Sequence, residues 1–514
     1  MNYIISAIIS MIGLFIVRTL YKELITILRL RKYRSEGVKD TKYICWFAGY
    51  FRKRQVQPKP GEINDLYYNA KEMQFKSDKT QPFAVVGING MCAINLLSHE
   101  AVAEFYKKEI GNTIKSNFFA TLKFLAFFLE NGKKAHDGRG TFSKIFHYSN
   151  VVSLMPQIHK SIKNHVNSLR KRVSAAKGQR LMVEMKKEFL DPLSDELTGC
   201  ILLTGADHKI RATFDGMSIS QVLKKMFKCF EAHPREMLSW IPFTERLGLS
   251  KPANEFRRLQ KGFKKIITDQ YKQRYNSTNE EDLAENSILD IMVRLNKKSE
   301  RETGKPQFTL KEISDNFEAF QFAGSYTSFQ ASCSLMTFLA QPENQEIQEK
   351  LRSENDIGLK GAEELDNVKL NSLKLLDMCF RETMRMANPA PQIFPRTVVK
   401  DFTICGHQLK KGDVIRQYLV QYQSEYYKDP FKFMPERFSE EAKKKIPYTK
   451  QIFFSHGHRV CLGKYLGEMI IKLITLEMLK NFKIEVQEGY VMKFGMDPMY
   501  GVVNANLMLS LRKD

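Results

Sequence analysis

Read along the chain, the apolar positions change their period several times. The opening MNYIISAIISMIGLFIV is apolar on every face and has no charged side chain before Arg18. That pattern predicts a helix with apolar surroundings on all sides. The run is short against a hydrocarbon core of roughly 30 Å, but continuation through Thr19, Leu20 and Tyr21, with Arg18 and Lys22 snorkelling, would complete a transmembrane span over residues 1–21. A cleaved signal peptide competes with this reading; RTLYKE after Val17 offers no small-residue cleavage site, so a retained anchor is expected. Residues 22–65, polar and basic and containing QVQPKPGE, read as a linker or hinge.

The period then shortens to two. PFAVVGI and MCAINLL, separated by Asn89 and Gly90, predict a β-hairpin. From Ser98 to Met386 the helical period dominates. Its longest stretch, TLKEISDNFEAFQFAGSYTSFQASCSLMTFLAQP, predicts one helix opened by a capping box at Thr309 and Glu312 and stopped before Pro342. At 1.5 Å per residue it would be roughly 45 Å long, and apolar residues on most faces say that it is buried. Beyond Met386 come short strands and turns, one further helix after Cys461, and a closing MYGVVNANLMLSL that reads as a terminal hairpin or strand. The fold class expected is mainly α with small β-sheets.

Charge and cysteine content narrow the setting. The 80 Lys and Arg outnumber 57 Asp and Glu, for a net +23, and are spread along the chain rather than gathered in one arm. A diffuse basic excess suits an anionic membrane face or an acidic protein partner better than nucleic acid, for which no motif is visible. The eight cysteines, at 45, 92, 200, 229, 333, 379, 405 and 461, form no CxxC pair, which points to a reducing compartment. Positive charge after the span would keep the bulk of the chain on the cytosolic side.

One cysteine stands apart. In FFSHGHRVCLGKYLGEM, beginning at Phe453, Cys461 lies where a loop with glycines and an arginine turns into a helix. If Cys461 binds haem iron, each neighbour has a physical role. A thiolate is stabilised by backbone N–H donors and a helix N-terminus, and Gly457 and Gly463 let the backbone approach a flat macrocycle. Arg459 can pair with a haem propionate, and Phe454 can pack by the sulfur and limit water. A zinc site formed by His456, His458 and Cys461 is the competing reading, short of a fourth ligand nearby.

The loop resembles the haem-binding signature of the cytochrome P450 family, the haem-thiolate monooxygenases. Upstream, RETMRMANPAPQIFPRTVVKD holds Glu382 and Arg385 three apart, on one helix face where they can pair, and a chance surface pair is the alternative. The resemblance adds Arg437, from FMPERF, as the third member of a structural triad, and Arg396 as a propionate-binding arginine. On the long helix Ala323, Gly324 and Thr327 match the family's oxygen-side motif. There Gly324 would leave room above the iron and Thr327 would hydrogen-bond oxygen or its water, unless its hydroxyl back-bonds within the helix. Tyr326 stands where the motif has an acid, and a phenol with a pKa of about 10 is a poorer proton relay than a carboxylate. In LENGKKAHDGRGTFSKIF, Arg139 fits the family's helix arginine, but Ala135 takes the place of its tryptophan, and neither Trp46 nor Trp240 can substitute.

The resemblance therefore implies a single haem domain over residues 66–514, preceded by an N-terminal transmembrane helix in the endoplasmic reticulum membrane and facing the cytosol. It implies haem b and electrons from an NADPH-dependent flavoprotein reductase. The activity expected is insertion of one oxygen atom into an apolar small molecule of lipid, sterol or xenobiotic type. Lys133, Lys134, Lys144 and Lys443 to Lys445 form a candidate docking face for the reductase, or are simply solvated. Phe118 to Phe128, Gly205 to Asn296 and Met499 to Val502 fall where the family places substrate contacts. Two alternatives keep the haem: an isomerase or dehydratase acting on hydroperoxides without oxygen activation, motivated by Tyr326, and a non-catalytic haem sensor or carrier, against which Thr327 and Gly324 weigh.

Overall fold

In a computed structural model of the chain the described residues are 2–39, 41–44, 81–88, 91–116, 130–197, 213–232, 248–277, 279, 281, 283, 287–358, 365–422, 425–497 and 499–512. The Asn89–Gly90 turn, residues 40 and 45–65 of the expected linker, the stretch from Phe118 to Phe128, part of Gly205 to Asn296, Trp46 and Trp240, and the side chains of Lys134 and Lys144 lie outside them. The chain divides into two units. The first comprises Met1–Phe118, Ala390–Lys432 and Glu440–Val460, and the second Phe119–Pro389, Phe433–Ser439 and Cys461–Asp514.

The first unit is built on a six-stranded mixed sheet in the order Thr41–Ile44, Phe83–Ile88, Met91–Leu96, Val414–Gln417, Arg396–Val398, Thr113–Lys115. Its centre is the expected hairpin, with Phe83 opposite Leu96 and Gly87 opposite Cys92. Helix α1 (Asn2–Ser35) packs on this sheet, and α2 (His99–Lys108) follows the hairpin, capped by Ser98, whose side chain accepts from the Ala101 N–H. A Cβ on Gly87 would stand 2.6 Å from both Leu30 and Thr26 side chains, so only glycine lets α1 lie this close. The core beneath joins Leu30, Tyr33, Phe83, Ile94, Phe105 and Ile415.

Helix α1 corrects two expectations. Among the described residues no helix is long and apolar enough to cross a membrane, so the transmembrane span over 1–21 is not carried by the structure. The helix instead runs on through Ser35, taking in residues 22–35 that the sequence assigned to a linker, and Thr41–Ile44 is a strand. The cause is tertiary. Thr26, Leu30 and Tyr33 are buried against the sheet, and Arg29 and Tyr33 reach the buried Asp413 at 3.1 Å and 2.6 Å.

The second unit is mainly helical. Its longer helices are α3 (Gly132–Ile145), α4 (Tyr148–Ala175), α5 (Ile219–Ala232), α6 (Lys251–Ser277), α7 (Ile288–Thr303), α8 (Leu310–Leu339), α9 (Gln345–Gly358), α10 (Asn367–Ser372), α11 (Lys374–Ala387) and α12 (Lys464–Asn481). Helix α8 opens on the expected capping box, Thr309 accepting from the Glu312 N–H while the Glu312 carboxylate accepts from the Thr309 N–H. It is buried along almost its whole length, packed against α6, α11 and α12. An antiparallel sheet of Phe482–Glu485, Asn506–Leu511 and Arg180–Glu184 lies in this unit, with a separate hairpin of Phe494–Met496 and Tyr500–Val502. The sequence reading is thereby refined twice. The closing residues, read as a terminal hairpin or strand, form two strands, Tyr500–Val502 and Asn506–Leu511, in different sheets, and the helical region contains the strands Thr113–Lys115 and Arg180–Glu184, each too short to show its own period.

Candidate functional site

In the second unit the three residues expected as a triad come together. Helical spacing puts Glu382 and Arg385 of α11 one turn apart, and both are fully buried. Arg385 donates from Nε to Glu382 Oε2 and from Nη2 to Oε1, each at 2.8 Å. The 3-10 turn Pro435–Phe438 adds Arg437, whose Nε donates to Glu382 Oε1 at 3.3 Å. A fourth donor has no sequence signal: the Met434 backbone N–H, 2.9 Å from the same oxygen. A buried carboxylate needs its lone pairs filled, and here two guanidinium groups and an amide fill them.

Helix α8 carries the second cluster. Between Ile313 and Ala340 every residue is buried except Phe322, Ala323, Gly324 and Thr327. At 100° per residue Ala323, Gly324 and Thr327 share one face, so the helix opens over a single turn at the motif residues. The Thr327 hydroxyl donates to the Ala323 carbonyl at 2.6 Å. Its proton is thus held by the helix and its oxygen can accept; donation to a second group requires rotation. Tyr326 points elsewhere. It is buried, edge-on to Phe227 of α5 with ring centroids 4.5 Å apart, and Phe227 stacks on Phe322 at 4.2 Å. The residue at the acid position therefore has a packing function in an aromatic cluster.

Cys461 stands three residues before α12, whose N-cap is Gly463. It is exposed, whereas the other described cysteines are buried or half-buried, with burial pushing the Cys92 and Cys333 thiols up to about 12 and Cys405 to about 11. An accessible thiol at a helix start is the donor a soft metal centre takes. Among the described residues nothing beyond its chain neighbours lies within 4 Å of a Cβ built on Gly463, so none of them requires a glycine there. Arg139 lies half-buried on α3, with Ala135 buried one turn before it.

The rest of the cysteine loop belongs to the first unit. Gly457 has φ +69°, and a Cβ there would stand 3.1 Å from Oε1 of Glu109. Glu109 closes α2, is 1% exposed, and faces Arg396 Nε at 3.5 Å and His458 Nδ1 at 3.2 Å. Burial pushes its carboxyl up, while Arg396 and Arg459 pull it down. One turn earlier Tyr106 donates to Gln417 at 2.6 Å and lies 3.3 Å from the Ser455 hydroxyl, and its ring meets His456 edge-on at 5.2 Å. Phe454 is half-buried. The two loop histidines are thus engaged by Glu109 and Tyr106. Among the described residues no group of three or more His, Cys, Asp or Glu side chains could hold a metal ion, so the zinc reading is not supported.

Each unit taken by itself has chemistry that fits a haem: in the second, an exposed thiol at a helix start and an opened turn on a buried helix; in the first, two arginines suited to carboxylates. Glu109, Tyr106 and the Met434 amide were beyond sequence reasoning, because nothing in YKKEIGN marks a buried ion pair.

Comparison with known proteins agrees. The family model described as Cytochrome P450 matches residues 66–511. The chain is 31% identical over 191 residues to probable cytochrome P450 6d4 of Drosophila melanogaster, covering 36% of each chain. It is 27% identical over 362 residues to cytochrome P450 26B1 of Mus musculus, covering 68% of this chain and 64% of that one. The chain thus spans less than two thirds of the length of these curated relatives. Among solved structures, retinoic acid bound cyanobacterial CYP120A1 superposes with a TM-score of 0.69 at 18% identity, over 88% of this chain and 95% of that one, which shows a common fold.

Proposed function

Because the chain belongs to the cytochrome P450 family, we propose that it is a haem-thiolate monooxygenase that inserts one oxygen atom into an apolar small molecule. The observation that carries this reading is the opening of the otherwise buried α8 at Ala323, Gly324 and Thr327. A flat cofactor and a substrate need such a gap, and a purely structural helix does not. Haem b, when bound, supplies the redox iron that activates dioxygen. Cys461 would hold the haem iron as a thiolate, with Gly463 and the start of α12 offering N–H groups to its charge. Arg396 and Arg459 would hold propionates, Arg139 would add a further contact, and Phe454 would limit water around the sulfur. Glu382, Arg385 and Arg437 fix the meeting of α11 and the Pro435–Phe438 turn. Thr327 accepts a hydrogen bond from water on the oxygen side, and Tyr326 closes the wall beside it. Gly324 leaves the space that a side chain would fill.

The finer parts of the proposal are the redox partner and the location. An NADPH-dependent flavoprotein reductase is supported by the excess of Lys and Arg over Asp and Glu, and Lys133 of the second unit and the run Lys443 to Lys445 of the first are candidate contacts. Attachment to the endoplasmic reticulum membrane is supported by an exposed apolar ladder on α1, namely Leu14, Val17, Leu20, Tyr21, Leu24 and Leu28. The deciding experiment is the carbon monoxide difference spectrum of the reduced protein beside that of Cys461→Ser. A strongly red-shifted Soret band that is lost in the variant supports the iron–thiolate bond. Well-folded protein without haem absorbance overturns the proposal. Turnover of a lipid hydroperoxide with no NADPH consumption would replace the monooxygenase by an isomerase.

A further inference from the structure

Glu109 sits where local chemistry disfavours it. It follows the last residue of α2, at the negative end of the helix dipole, and is 1% exposed, so both position and burial oppose a carboxylate charge. Its side chain faces Arg396 at 3.5 Å, itself 3% exposed, the His458 ring at 3.2 Å, and Arg459, whose charge also reaches it. Among the described residues neither carboxylate oxygen accepts a hydrogen bond of good geometry. The ion pair is loose, and Arg396 is not saturated by a bidentate partner; one of its Nη groups reaches the Phe394 carbonyl at 3.3 Å. The loop is shaped around this carboxylate, because Gly457, at φ +69°, brings its backbone to where a Cβ would be 3.1 Å from Oε1.

Resting on the haem reading above, which gives Arg396 and Arg459 to the propionates, we propose that Glu109 is the internal counter-ion of Arg396. It fixes the arginine to the cysteine loop at Gly457 and His458, and it holds back part of the arginine charge from the propionates. It is a positioning residue and touches no reacting atom. Two consequences follow from electrostatics. A chain without the Glu109 charge leaves Arg396 buried and unbalanced when haem is absent, which destabilises the haem-free fold. The same chain offers the propionates a stronger cation, so haem is held more tightly and the iron potential moves positive.

The test uses Glu109→Gln, which keeps the shape, and Glu109→Asp, which keeps the charge. Release of haem from the loaded full chain to excess apomyoglobin is followed by absorbance, with the midpoint potential measured on the same samples. Glu109→Gln is expected to release haem at least about fivefold more slowly than the parent, the lower end of ordinary coupling between sites, with a positive shift in potential; Glu109→Asp is expected to stay within about twofold of the parent. Faster or unchanged release from Glu109→Gln overturns the charge-holding role, and equal impairment of both variants means that the side chain merely fills space. Urea unfolding of the haem-free chain supplies an independent arm: the destabilisation by Glu109→Gln is expected to vanish in an Arg396→Met background. Additive losses overturn the pairing. Coupling found in a chain that takes up no haem locates the error in the haem reading and overturns the propionate half of the proposal.

Discussion

Replacing Arg385 by methionine removes the stronger half of the buried cluster on Glu382 while keeping most of the side-chain volume. Glu382 Oε2 then loses its 2.8 Å donor, and Oε1 keeps the Met434 amide at 2.9 Å and Arg437 at 3.3 Å. Both Glu382 and Arg385 are fully buried, so water cannot replace the lost bonds. Removing one partner of a buried ion pair costs about 3–5 kcal/mol, which is a large fraction of the 5–15 kcal/mol that ordinarily separates folded from unfolded chains. Arg437→Met, which removes one longer bond to a carboxylate that retains Arg385, should cost about 1–2 kcal/mol. The double change Glu382→Met with Arg385→Met leaves no unpaired charge on α11 and should cost less than Arg385→Met alone. Urea unfolding of the haem-free proteins by far-UV circular dichroism ranks the three. Arg385→Met within about 1 kcal/mol of the parent, or less harmful than Arg437→Met, would refute the reasoning.

Three further outcomes are expected. Lys450 is buried, donates to the Leu97 carbonyl, and has its amine pushed down to about 8 by burial. The unfolded chain keeps that proton up to about pH 10.4, so folding stability should rise between pH 8 and that point, by about 3 kcal/mol relative to Lys450→Met; parallel pH profiles for the two proteins would disprove the shift. Gly457→Ala forces a side chain into left-handed backbone beside Glu109 and should cost about 1–2 kcal/mol, whereas Gly463→Ala, at φ −83° with no described residue in reach, should stay within about 0.5 kcal/mol; equal urea midpoints would contradict the loop geometry. Tyr326→Asp, which puts a carboxylate against Phe227, should lose roughly 3 kcal/mol or more; a thermal melt of Tyr326→Asp that matches the parent would remove Tyr326 from the aromatic cluster.

Much of the site was legible in the sequence because its parts are local. The pairing of Glu382 with Arg385 is set by helical spacing, the start of α8 by the Thr309 and Glu312 capping box, and the cysteine loop by glycine and arginine at fixed distances from Cys461. Backbone period and short-range hydrogen bonding depend on neighbours in the chain, so the chain order alone fixes them. What a side chain faces across the fold is not written there. Only the tertiary structure set Glu109 against Arg396 and His458, carried α1 past its expected end to Asp413, placed the Met434 amide on Glu382, and turned Tyr326 toward Phe227. Those contacts join residues far apart in the chain. Burial that excludes water makes each of them matter, and neither partner carries a local mark of the other.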